Sequence, residues 1–231
     1  MTASLHSLDQ NSALELVRSA LGRDSTLVPA PLEPFIAPIG EADQRELIDR
    51  FTQEAEAVGA QVYRLSDKIQ LVEKIAGICA NQPGEIAFSE AEFFTTMDLP
   101  STLVTHRLAV FTGNEPDHDK LTGRLANCGV GVTCADYAIA ETGTIVVSSD
   151  EQNALLVSLL PPVHIAVVRS SQIVARLDQA ISKINQERFG RVDPAQSVSF
   201  ITGPSRTGDV ELVLSIGVHG PKELHVIILE M

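Results

Sequence analysis

The chain of 231 residues contains no tryptophan, and Phe and Tyr bring its aromatic share to only 4%. Most of the side chains available to bury are therefore aliphatic, each worth about 1.5–3 kcal/mol when fully buried. Positive charge is scarce too: 17 Lys and Arg stand against 30 Asp and Glu, a formal net charge of −13. Affinity for phosphate backbones comes from cations that displace counterions, so this balance argues against nucleic acid and against insertion at an anionic membrane surface. Cys79, Cys128 and Cys134 contain no CxxC pair and are too scattered for a disulfide framework, a zinc site or an iron–sulfur cluster. No metal or cofactor is expected in this chain, and a reducing cytoplasm fits. No apolar run approaches the ~20 residues that cross a bilayer. The opening stretch MTASLHSLDQNSALELVRSALGR lacks the basic start and apolar core of a secretory leader, so the expectation is a soluble, unexported protein. Nucleotide signatures are missing as well: there is no GxxxxGK[ST] loop, no GxGxxG after a strand and no GxSxG elbow.

What is present is ordinary globular usage, 44% hydrophobic and 20% charged, enough for a substantial core. Residues 1–40 read as an extension: NSALELVRSALG spaces Leu14, Val17 and Leu21 as one helical face between Ser12 and Gly22, and RDSTLVPAPLEPFIAPIG then carries four prolines that forbid regular structure. Residues 41–231 read as an α/β domain. A helix over 41–58 puts Leu47, Phe51 and Ala55 on one face and ends at Gly59. AQVYRL, EIAFS, GVGVTC, GTIVVSS, HIAVVR, SVSFIT and ELHVIIL read as strands, and TLVTHRLAVF as a strand-like stretch. Between them DKIQLVEKIAGICANQ, capped at Ser66 or Asp67, DHDKLTGRLANCG, and SSQIVARLDQAISKINQE, capped at Ser170 or Ser171, read as helices. Strands alternating with helices imply right-handed crossovers and a mostly parallel open sheet with helices on both faces. Ligands of such sheets lie beyond the carboxyl ends of the strands.

The chemistry-bearing residues concentrate in connections. In ITGPSRTGDVE the chain leaves a strand into Gly203 and Pro204, then presents Ser205, Arg206, Thr207 and Asp209. Hydroxyls and backbone N–H groups there can donate to an anion, and the Arg206 fork matches carboxylate or phosphate. Asp209 is placed to cap a short helix starting at Val210. Taken singly each of these residues satisfies a turn; clustered at a strand's end they indicate an anion site. In GVGVTCADYAIAETGTIVVSS, Asp136 reads as an N-cap, while Glu141 is either part of a helix stop or a carboxylate acting as base or nucleophile. His219, between valine and glycine in GVHGP, suits a loop surface where it can hydrogen-bond or titrate, whereas His225 in the last strand reads as structural.

Three blocks in order, GVGVTCADYAIAETGTIVV, SLLPPVHIAVV and ITGPSRTGDVELVLSIGVHGPKELHVIIL, resemble the signature blocks of the LUD-domain family in its lactate-utilisation protein C branch, over roughly residues 129–229. The resemblance implies a fold similar to the NagB/RpiA/CoA-transferase group. It also implies a part in oxidising L-lactate to pyruvate within a three-protein system whose other members carry the iron–sulfur clusters. The chain would then be an accessory subunit that holds a small organic anion at the Arg206 loop. Fold kinship with CoA transferases, which use a glutamate nucleophile, leaves an alternative: a stand-alone enzyme acting through Glu141 on a phosphorylated or CoA-linked metabolite. A metabolite-sensing regulator is a third.

Overall fold

Aspartates at positions 43, 67 and 117 each precede a helix and serve it in the same way. Their carboxylates accept from Arg45 N, Gln70 N, and Asp119 N with Lys120 N, first-turn amides that no intrahelical carbonyl can reach. In the computed structural model the described residues are 19–20, 43–89, 91–106, 108–112, 117–149, 153–188, 197–208, 214–217 and 219–230. The helix and proline-rich arm expected over residues 1–40 lie outside them except at Ser19 and Ala20, and the sheets with their covering helices belong to the unit Ile39–Met231.

The elements run α1 (Gln44–Ala57), β1 (Gln61–Leu65), α2 (Lys68–Cys79), β2 (Ile86–Phe88), α3 (Glu92–Thr96), α4 (Leu99–Thr105), β3 (Val110–Thr112), α5 (His118–Leu125) and β4 (Val130–Cys134). Next come β5 (Tyr137–Ile139), β6 (Thr144–Ser149), α6 (Asn153–Leu159), β7 (Val163–Arg169), a 3₁₀ turn (Ser170–Gln172), β8 (Ile173–Val174) and α7 (Leu177–Arg188). The chain closes with β9 (Ser197–Ile201), a hairpin of β10 (Arg206–Gly208) and β11 (Leu214–Ile216), and β12 (Glu223–Leu229). Six strands form one sheet in the order β1-β12-β7-β4-β2-β3, and every neighbouring pair in it is parallel. Its central strands are buried along nearly their whole length, which explains the unbroken apolar runs in HIAVVR and ELHVIIL. One face packs Ile165, Val167, Ile227 and Leu229 on Leu71 and Ile75 of α2 and Leu99 and Leu103 of α4. The other packs Ala166, Val168, Val226 and Ile228 on Ile48, Phe51 and Ala55 of α1 and on Ile145 and Val147 of β6. Among the described residues no helix is long and apolar enough to cross a membrane.

The α/β architecture with a parallel sheet stands as the element order implies, and four local readings change. Strands β5, β6, β8 and β9 form a second sheet, ordered β8-β5-β6-β9, in which β6 runs antiparallel to both neighbours. The link from β5 to β6 is only the turn 140–143, too short for the crossover a parallel pair requires. Tyr137, Ile139 and Val146 on this sheet are covered by Ala180 and Ile184 of α7. TLVTHRLAVF is split between the end of α4 and β3, because Pro100 in the first turn starts a helix that buries Leu99 and Leu103 four residues apart. The helix read from Ser170 begins only at Leu177, since Ile173 and Val174 are drawn into pairing with Ala138 and Ile139. Asp136 caps no helix: it stands before β5 and accepts from Ser148 N at 2.7 Å and from Ser148 Oγ.

Candidate functional site

The connection that leaves β9 is held from two sides. Gly203 sits at φ +77°, and a Cβ built there would stand 2.5 Å from Val58 O at the end of α1, so glycine alone fits. Arg206 donates from Nη2 to the same carbonyl at 2.6 Å. From the opposite side Ser205 N donates to Pro221 O and Gly217 N donates to Ser205 O, both at 2.9 Å, tying the loop to the connection that enters β12. These ties bring Ser205, Arg206 and His219 onto one cavity of about 310 Å³. Thr202, Phe200 and Leu159 also line it, and His164 and Leu224 reach it from the main sheet.

The position differs from the one the open-sheet rule predicts. The cavity does lie at the carboxyl end of β9, but β9 is an antiparallel edge strand of the smaller sheet. It meets the parallel sheet at the second residues of β7 and β12, their amino ends, because the antiparallel β9 delivers its exit loop to that side.

Electrostatically the cavity stands apart from the rest of the chain. Carboxylates outnumber cations in the sequence, yet none of the described residues lining this cavity is Asp or Glu. Arg206 supplies an exposed guanidinium, of whose five N–H groups one is engaged by Val58 O. His164 is 1% exposed; burial, with the nearby His225, pushes its pKa down to about 3 and keeps the ring neutral. Its Nε2 lies 2.8 Å from the Thr133 hydroxyl, while its Nδ1 is buried without a hydrogen-bond partner among the described residues.

Other residues singled out from the sequence fall around this centre. Thr207 lies in β10 opposite Ser215, and Asp209, with the helix expected at Val210, lies outside the described residues. Glu141 is exposed on the turn between β5 and β6, its N–H donating to Ala175 O at 3.0 Å, and it does not line the cavity. That turn is nevertheless joined to the cavity by hydroxyls: Thr202 Oγ1 to Thr144 Oγ1 and Thr144 Oγ1 to Thr142 Oγ1, each 2.7 Å. His225 is a buried structural histidine, stacked on Tyr63 and 3.2 Å from Glu223 Oε2. His164 and Thr133 escaped the sequence reading because each sits inside an apolar strand. The signal present was a lone polar side chain in a run that is otherwise buried on both faces.

Known proteins are similar to this chain in sequence and in fold. Lactate utilization protein C of Oceanobacillus iheyensis is 35% identical over 101 residues, 44% of this chain and 43% of that protein, so this chain spans less than half of that relative's length in the match. Lactate utilization protein C 1 of Bacillus mycoides is 34% identical over 193 residues, 81% of this chain and 80% of that protein. A crystal structure of a DUF162 family protein from Deinococcus radiodurans shares the fold, with a TM-score of 0.58 at 23% identity over 81% of this chain and 99% of that one. The LUD domain matches residues 48–229, which include every strand of the main sheet and every residue lining the cavity. The chain belongs to the LUD domain family.

Proposed function

We propose that this protein is an accessory subunit of an L-lactate utilisation system and that it binds a small organic anion in the cavity beneath the Arg206 loop. Its relatives named lactate utilization protein C support the first part. The observation that carries the second is a cavity whose described lining holds no carboxylate, in a chain of net charge −13, and includes Arg206, Ser205 and two histidines. A small anion repelled by the protein at long range needs such local compensation. In this reading electron transfer belongs to iron–sulfur partner subunits. The three free thiols of this chain occupy apolar surroundings. A reducing cytoplasm suits unpaired thiols.

Deleting the gene tests the assignment. Growth on L-lactate is expected to fail and growth on pyruvate to be spared, with rescue by the wild-type gene and weaker rescue by Arg206→Ala. Normal growth on L-lactate, in a strain with no other lactate dehydrogenase, overturns the lactate role. Affinity capture from lactate-grown cells is expected to bring down iron–sulfur proteins, and recovery of none removes the accessory-subunit reading.

A further inference from the structure

We infer that Thr133 fixes His164 in its Nδ1–H form, and that this N–H is a buried donor selecting 2-hydroxy and 2-oxo acids over simple carboxylates in the cavity. The inference rests on the reading of that cavity as an organic-anion site.

Its basis is a count of hydrogens. Thr133 is fully buried in β4, and its hydroxyl lies 2.8 Å from His164 Nε2. Were the ring proton on Nε2, it would donate to Oγ1 and leave the threonine's own proton buried without an acceptor among the described residues. With the hydroxyl donating to Nε2, the threonine is satisfied and the neutral ring carries its proton on Nδ1. That Nδ1 is the atom without a partner among the described residues, and it belongs to a residue that lines the cavity. A buried donor left unpaired is costly, and a ligand oxygen removes the cost.

The lining then divides the work. Arg206 is exposed and meets charge, with His219 exposed on the same cavity, while His164 is buried and neutral and meets an acceptor. The cavity of about 310 Å³ suits a small molecule. An acid whose carboxylate oxygens engage Arg206 and Ser205 satisfies the site fully only if it brings a further oxygen, on the neighbouring carbon. Because Nδ1 is buried, that oxygen reaches it by displacing lining side chains, and an acid without it has no gain to offset the displacement. A site built to hydrogen-bond an oxygen discriminates strongly against the analogue lacking it.

Nitrogen-15 spectra of the full chain with labelled histidine read the ring directly. The inference expects the His164 proton on Nδ1 and none on Nε2 near neutral pH, with the N–H signal shifted by L-lactate or pyruvate and unmoved by propionate. Titration with the same three acids is expected to show L-lactate at least about tenfold tighter than propionate. That ratio should fall towards one in His164→Leu and drop in Thr133→Val, whose ring is released to both tautomers. His164→Asn, whose amide N–H takes the place of Nδ1–H, should keep most of it. If His164→Leu does not fold, Thr133→Val and the wild-type spectra decide. A proton on Nε2, or equal affinity for L-lactate and propionate, overturns this inference and leaves the anion site standing. Failure of all three acids to bind overturns the anion site and this inference with it.

Discussion

Gly203 and Arg206 converge on a single carbonyl, Val58 O, and that shared contact determines what a substitution at either one costs. Gly203→Ala combines a left-handed backbone with a clash against main-chain oxygen that cannot retreat, because Val58 closes α1. The expected loss is about 2–4 kcal/mol in urea unfolding, and a loss under about 0.5 kcal/mol would show that the loop moves freely from α1. Arg206 is exposed, so Arg206→Ala should cost at most about 1 kcal/mol of stability through the bond to Val58 O. In calorimetry the same change should weaken anion binding roughly ten- to hundredfold, because charge-assisted bonds are worth about 1.5–3 kcal/mol each. Arg206→Lys should recover only part, since the planar fork is lost. Unchanged binding by Arg206→Ala removes the residue from the site.

The hairpin β5–β6 is the element that couples the cavity to the rest of the small sheet, and a carboxylate pins its open end. Asp136 accepts from the amide and hydroxyl of Ser148, and its own N–H donates to Val146 O at 2.8 Å. At the closed end Gly143, at φ +63°, presses against the backbone of Ala55 in α1. Removing the carboxylate strands two donors, so Asp136→Ala should destabilise by about 1–3 kcal/mol. The exchange of the Ser148 amide proton should speed up markedly, while Asp136→Asn, which keeps an acceptor oxygen, should lose less. Slow exchange at Ser148 in Asp136→Ala would mean that the hairpin is held by its ladder alone. β9 at the edge of the same sheet inverts the usual alternation: Val198 and Phe200 are exposed and Ser197 and Ser199 half-buried. Phe200 lines the cavity, which gives one of these apolar side chains a place outside the core.

For the molecule as a whole, burial of neutral histidine makes acid the destabilising direction well before carboxylates titrate. His164 has a folded pKa of about 3. The unfolded ring titrates near 6.5. Between those values the unfolded chain holds a proton that the folded chain does not, so the stabilisation is complete above about pH 6.5 and declines by about 1.4 kcal/mol per unit as pH falls. His225, lowered chiefly by burial, acts in the same direction below its ordinary value. Glu85, held below the usual carboxylate range by its hydrogen bond from Arg124, contributes only at more acid pH. Urea midpoints should therefore drop between about pH 7 and 5, with a shallower drop in His164→Asn; a flat profile contradicts the buried neutral ring. The thiols titrate the other way: burial pushes Cys79 up to about 12 and Cys128 and Cys134 to about 11. Alkylation near neutral pH should be slow at all three until the chain is unfolded, and rapid labelling of the folded protein would contradict this.

By itself the sequence determined element type wherever one periodicity dominated: α1 from Leu47, Phe51 and Ala55, β7 and β12 from unbroken apolar runs, and with them the parallel α/β sheet. The three ordered blocks were enough to point to the family, and Ser205, Arg206 and His219, which line one cavity, stood out in the sequence because special backbone and polar side chains crowd into two short connections. Tertiary structure alone decided that β5, β6, β8 and β9 leave the main sheet, since a strand's alternation says which side is buried but not which strand it pairs with. It alone decided that Glu141 faces outward and that Arg206 also secures α1, both matters of contact between segments far apart in sequence. It alone exposed His164, because one imidazole in an apolar run becomes informative only once Thr133 on the neighbouring strand is seen to satisfy one ring nitrogen and to leave the other buried without a partner among the described residues.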